Sequence, residues 1–158
     1  MLIAQALELH CSAIEPLRGP AVGAAEHDVA ALEVRLGCRF PLAYREFLLW
    51  MGEDRKGLLH GTECFLGDVE SNEQGLVDLL CENDLPPPLD RPVVFFLHQG
   101  YLACWFCTSD TAEDPEVFSF NEGLSEAGIR SLGRFSRWLY VELSGLVGER
   151  PEGDDISR

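Results

Sequence analysis

The residues best equipped for chemistry are six cysteines, four histidines and a crowd of carboxylates. Cys104-Trp105-Phe106-Cys107 has the gap of a thiol–disulfide motif. Such pairs act at a helix N-terminus, where the thiolate is stabilised. Here the flanking Tyr101-Leu102-Ala103 and Thr108-Ser109-Asp110 predict a strand and a loop. On a strand, positions i and i+3 point to opposite faces, about 10 Å apart, too far for a disulfide. Both cysteines are therefore expected as small apolar side chains. Gly123-Leu124-Ser125-Glu126-Ala127 has the strand-to-helix setting of a nucleophile elbow. A hydrolase of that type needs a histidine after the serine, and none follows His98. Ser125 reads better as a helix N-cap.

Metal chemistry has two candidate groupings. His60 and Cys64 could join Cys104 and Cys107 around zinc, but the second pair points two ways. Asp110, Glu113, Asp114 and Glu116 could hold a hard cation, but no EF-hand spacing is present. His10, His27, His60 and His98 are scattered, with no nucleophile placed beside them. The expectation is a chain that is not an enzyme, with no catalytic residue, no metal and no cofactor.

The elements that carry these residues follow from periodicity. Val29, Leu32 and Leu36 make one apolar stripe on a helix over about 27–36. Gly37 stands where a left-handed C-cap is needed. Pro41 opens a second helix, to about residue 51, in which Tyr44, Phe47, Leu48 and Met51 repeat the spacing. Before them, a helix is predicted over 3–17, followed by a glycine- and alanine-rich linker. Ser71 and Gln74 have capping-box spacing for a helix over 72–82. Pro86-Pro87-Pro88 forbids helix. Strands follow at 93–97, 101–107 and 116–120. Ile129, Leu132, Phe135, Leu139, Leu143 and Leu146 then step by three and four along a helix over 128–146. Phe47, Leu48, Phe95, Leu97, Phe135 and Leu139 are the expected core. Helices, then strands, then a helix is an α+β order. It predicts a single domain over 1–147, with an antiparallel-dominated sheet flanked by helices. Residues 1–26 form its N-terminal helix and linker, 27–147 its core, and 148–158 a polar tail.

Two segments resemble a known family. Glu33-x3-Gly37-x2-Phe40-Pro41-x2-Tyr44-Arg45-x-Phe47-Leu48 is similar to the helix–bridge–helix motif of the SUKH superfamily. His98-Gln99-Gly100-Tyr101 and Asp114-Pro115-x-Val117-Phe118 are similar to its central strands. The resemblance covers roughly residues 27 to 143. That superfamily includes fungal cell-wall regulators and many bacterial immunity proteins. The resemblance implies a SUKH-like fold and an immunity protein that binds and neutralises a cognate toxin, often a nuclease or nucleic-acid deaminase. Its alternative implication is a scaffold or regulatory interaction module.

Charge points the same way. The 158 residues carry a net −15, yet His60–Gly128 alone holds fourteen acids against Arg91, a net −13. A field of that sign repels phosphate backbones and attracts basic proteins. The expected partner is a basic toxin protein, not nucleic acid or membrane. The expected contact residues are Asp68, Glu70, Glu73, Asp110, Glu113, Asp114 and Glu116, with Tyr101 or Trp105 as possible aromatic anchors. No apolar run approaches a membrane span. The first residues lack the basic start of a secretory signal, so a cytoplasmic location with reduced thiols is expected.

Overall fold

The computed structural model describes residues 1–55, 59, 61–124 and 128–148. It has an α+β fold. Helix α1 (Ala4–Leu9) runs through a π turn (His10–Ile14) into α2 (Glu15–Arg18); α3 (Glu26–Leu36) and α4 (Leu42–Met51) follow. A short 3₁₀ turn (Leu66–Asp68) leads into α5 (Val69–Glu82). Strands β1 (Pro92–His98), β2 (Leu102–Cys107), β3 (Glu116–Asn121) and β4 (Arg130–Arg134) form an antiparallel meander, and α6 (Phe135–Val147) closes the chain.

Both faces of the sheet are covered, which explains why β1 is an unbroken apolar run rather than an alternating one. Leu76, Leu79 and Leu80 of α5 pack on one face, against Val94, Leu97, Ala103, Trp105 and Phe120. The larger core lies on the other face, where α1, α3, α4 and α6 meet Phe95, Phe96, Cys104 and Phe106. A bulge between Val94 and Phe96 leaves Phe95 unpaired in the ladder. The extra residue lets neighbouring Phe95 and Phe96 both reach Trp138, at 4.8 and 5.5 Å between ring centroids. All six expected core residues are buried.

The two motif segments have local physical causes. Gly37 takes φ +64° at the end of α3, where any larger residue would be strained. The Cys38 N–H then bonds back to the Glu33 carbonyl at 3.2 Å. Gln99 and Gly100, both at positive φ, are the central residues of a turn closed by the Tyr101 N–H on the His98 carbonyl, within the three-residue connection between β1 and β2.

Three expectations need correction. The last helix begins at Phe135, not 128, and Arg130–Arg134 is a fourth strand paired with β3. Gly133 at φ +80° and the extended Arg134 prevent a helix there. The long N-terminal helix is broken by the π turn, just before Pro16. The helix expected from 72 starts at Val69, and Ser71 donates to the Asp68 carbonyl instead of capping. The proposed N-cap Ser125, like His60 and the tail beyond Gly148, lies outside the described residues.

Candidate partner-binding face

The corner between α3 and α4 is held by one carboxylate. Glu33 accepts the Phe40 N–H at 2.7 Å with one oxygen and the Arg45 guanidinium with the other. Arg45 also pairs with Glu26. This lock presents Gly37–Leu42 as one wall of an open cleft of about 810 Å³. The opposite wall is the β2–β3 connection, Thr108–Glu113, and Arg91 stands between them. Arg91 donates to the Leu36 carbonyl and approaches Glu73 of α5 at 3.9 Å. Arg39, exposed on the rim, has no partner among the described residues.

Two titratable groups of the cleft, Asp110 and Cys38, are displaced away from neutrality. Backbone N–H groups of Glu116 and Ala112 hold the Asp110 carboxyl below its ordinary value. Burial raises the Cys38 thiol, against the pull of the Arg91 charge. Such groups can bind and orient; neither is tuned as a general base or nucleophile near pH 7.

The seven expected contact carboxylates separate into two kinds. Three hold the fold. Asp68 pairs with Arg55 at 3.0 Å and accepts the Phe65 N–H. Asp110 pins the β2–β3 connection, as above. Asp114 caps α6 from outside the helix, taking the Ser136 N–H at 2.9 Å and the Ser136 hydroxyl at 2.6 Å. Asp114→Ala should therefore destabilise the protein by about 1–2 kcal/mol in chemical denaturation, as loss of a helix cap does. An unchanged midpoint would show that the cap is dispensable.

The other four are exposed or half-exposed. Glu70 and Glu73 lie on the outer side of α5, facing Arg35 and Arg91. Glu113 faces the cleft, and Glu116 accepts the Ser131 hydroxyl at 2.6 Å. Arg91 links the two groups, because it touches Glu73 and lines the same cleft as Asp110 and Glu113.

Farther along α5, Asp78, Glu82 and the following Asp84 are also exposed, and the last turn holds no basic residue. Carboxylates at a helix C-terminus oppose the macrodipole, each by roughly 0.3–1 kcal/mol. Asp78 is offset in part by the Gln74 amide, which donates to it at 2.7 Å. Val77 of α5 and Leu89, which follows the triple proline, are exposed apolar residues of the same stretch of chain. Sequence reading missed Leu89 and the cleft arginines; a bare leucine after Pro86-Pro87-Pro88 was the available signal. Trp105 is buried and stacks on Phe118, so it is no anchor, whereas Tyr101 is exposed.

Cys104 packs into the large core and Cys107 against the α5 side, the opposite faces that strand geometry requires. Burial pushes the Cys64 thiol up to about 12 and raises Cys104 well above its ordinary value. Neither is a ready thiolate ligand at neutral pH.

The motif corner, the meander and the helix that closes it all lie within one matched region. The model of the SMI1/KNR4 family (SUKH-1) matches residues 23–139. The chain belongs to this family. The match runs from just before α3 to the middle of α6, so α1, α2 and the π turn precede the region shared with the SMI1/KNR4 (SUKH-1) family. Comparison with curated proteins and with solved structures returned no match. Among the described residues, no helix is long and apolar enough to cross a membrane.

Proposed function

We propose that this SUKH-1 protein is an immunity protein that binds a cognate bacterial toxin, one acting on nucleic acid, and neutralises it without catalysis. The observation that carries the reading is the outer side of α5. Glu70 and Glu73 lie there with Asp78 and Glu82, the last two exposed toward the C-terminal end of a helix whose last turn holds no basic residue. An acidic surface of that kind suits a basic partner. Glu70, Glu73, Glu113 and Glu116 are the contact carboxylates of this proposal, with Val77 and Leu89 as its apolar centre. Occupying a toxin's basic substrate groove would exclude the phosphate backbone that the groove serves. The cleft supports binding over catalysis, since its Asp110 and Cys38 are shifted away from the range a proton-transfer group needs. Action in the cytoplasm belongs to the same proposal.

The resemblance to cell-wall regulators favours a second reading, a scaffold or regulatory module. Expression with the product of the gene immediately upstream separates the two. Immunity predicts that the two proteins co-purify at equal stoichiometry and that growth arrest by the upstream product is relieved. A harmful upstream product that neither binds nor is relieved would refute immunity and leave the scaffold reading.

A further inference from the structure

The segment His10-Cys11-Ser12-Ala13-Ile14-Glu15-Pro16 lies ahead of the matched region and has its own geometry. Pro16 has no N–H to donate and crowds the preceding turn, which is a sufficient cause for the helix to widen there. The Glu15 N–H bonds to the His10 carbonyl, the i→i+5 link of a π turn. In a regular α-helix Glu15 would stand well round the axis from His10. The widened turn brings it over that residue, and one donor atom each of His10, Cys11 and Glu15 then lie within 4.8 Å of one another.

A second observation is independent of that grouping. His10 is only 2% exposed, and its Nδ1 is buried without a hydrogen-bond partner. Its ring is held edge-on against Trp50, 5.1 Å between centroids at 87°. A buried imidazole nitrogen left unpaired is costly unless something fills its coordination. Cys11 is exposed, and Glu15 is half-buried.

We propose that His10, Cys11 and Glu15 form a three-ligand site for a divalent transition-metal ion of the zinc class, with the fourth position open to water. One nitrogen, one sulfur and one oxygen donor is a zinc-type set. A thiolate and a carboxylate balance the charge of a divalent ion. Tetrahedral ligands stand about 3.3–3.8 Å apart at normal zinc distances, so small rotations of Cys11 and Glu15 close the site. The side-chain hydrogen bond to Glu15 raises the Cys11 thiol, so the ion must displace that proton to solvent as it binds. This goes against the absence of metal expected from sequence, where spacing along a straight helix gave no reason to group the three.

The test uses the full chain, freed of metal by chelation and titrated with Co²⁺ and then Zn²⁺. One equivalent of Co²⁺ should give a thiolate charge-transfer band, intense tetrahedral visible bands and a change in tryptophan fluorescence, all reversed by Zn²⁺. Cys11→Ser should abolish the charge-transfer band, and Glu15→Gln should weaken binding by at least about tenfold. Cys81→Ser, at the other exposed thiol of a helix, should change nothing. Thermal melting of each variant without metal reports folding separately. No stoichiometric binding at micromolar metal would overturn the proposal. So would binding that survives both Cys11→Ser and Glu15→Gln.

Discussion

Phe95→Ala should destabilise this protein by about 3–5 kcal/mol, the cost of emptying a buried aromatic site. Phe95 is fully buried, and its ring meets those of Trp138 at 4.8 Å, Phe135 at 5.0 Å, Tyr44 at 5.9 Å and Phe106 at 5.9 Å. These partners come from α4, β2 and α6, so the cavity would open where three elements meet. Edge-to-face pairs add roughly 0.5–1.5 kcal/mol each beyond burial. Little can collapse into the gap, because the neighbouring rings are held by each other. A domain's whole stability is about 5–15 kcal/mol, so the loss is a large share. Val34→Ala, at an exposed position of α3, should shift stability by less than about 0.5 kcal/mol. Urea unfolding of the two variants measures both. A loss below about 1 kcal/mol for Phe95→Ala would mean the ring cluster is not the centre of the core.

Much of this core was legible from the chain. The stripe Val29, Leu32, Leu36 and its Gly37 stop placed α3 correctly, because helix period and C-cap chemistry agree there. The run Val93–Leu97 read as a buried strand, although the bulge that turns Phe96 toward Trp138 did not show. Strand β4 was misread for a definite reason. Ile129 and Leu132 stand six and three residues before Phe135, so they extend the stripe of α6 by coincidence. Gly133 was the contrary signal. A five-residue edge strand with two arginines and a glycine offers little period of its own.

The candidate face was legible only in part. The excess of acid in the middle of the chain is visible in the sequence, but the work of each carboxylate is not. Asp110 bonds within its own loop, an arrangement that local turn chemistry could suggest. Asp114 caps a helix that begins twenty-one residues later, and no local pattern reveals that. The cleft is assembled from 37–45, 91 and 108–113, so only the tertiary fold brings its arginines together.

Reversing Glu70, Glu73, Glu113 and Glu116 to Lys together should have the largest effect on partner binding. The expected loss in association rate is about ten- to a hundredfold at low salt, because rim charges act mainly by steering the encounter. The difference should shrink as salt rises, since the screening length falls from about 30 Å at 0.01 M to about 10 Å at 0.1 M. None of the four holds the core, so thermal melting should stay close to wild type. Reversal of Glu8, Asp28, Glu53 and Glu122 removes the same charge from exposed positions elsewhere. A partner that responds only to global charge would slow equally with both sets.

The decisive measurement is therefore the association rate of the product of the gene immediately upstream with wild type and with each four-site variant, across a salt series. The account predicts slow, salt-insensitive association for the α5 and β2–β3 set, and near-wild-type association for the control set. Equal slowing by both sets, or no slowing by the first, would contradict a partner-binding face at this place.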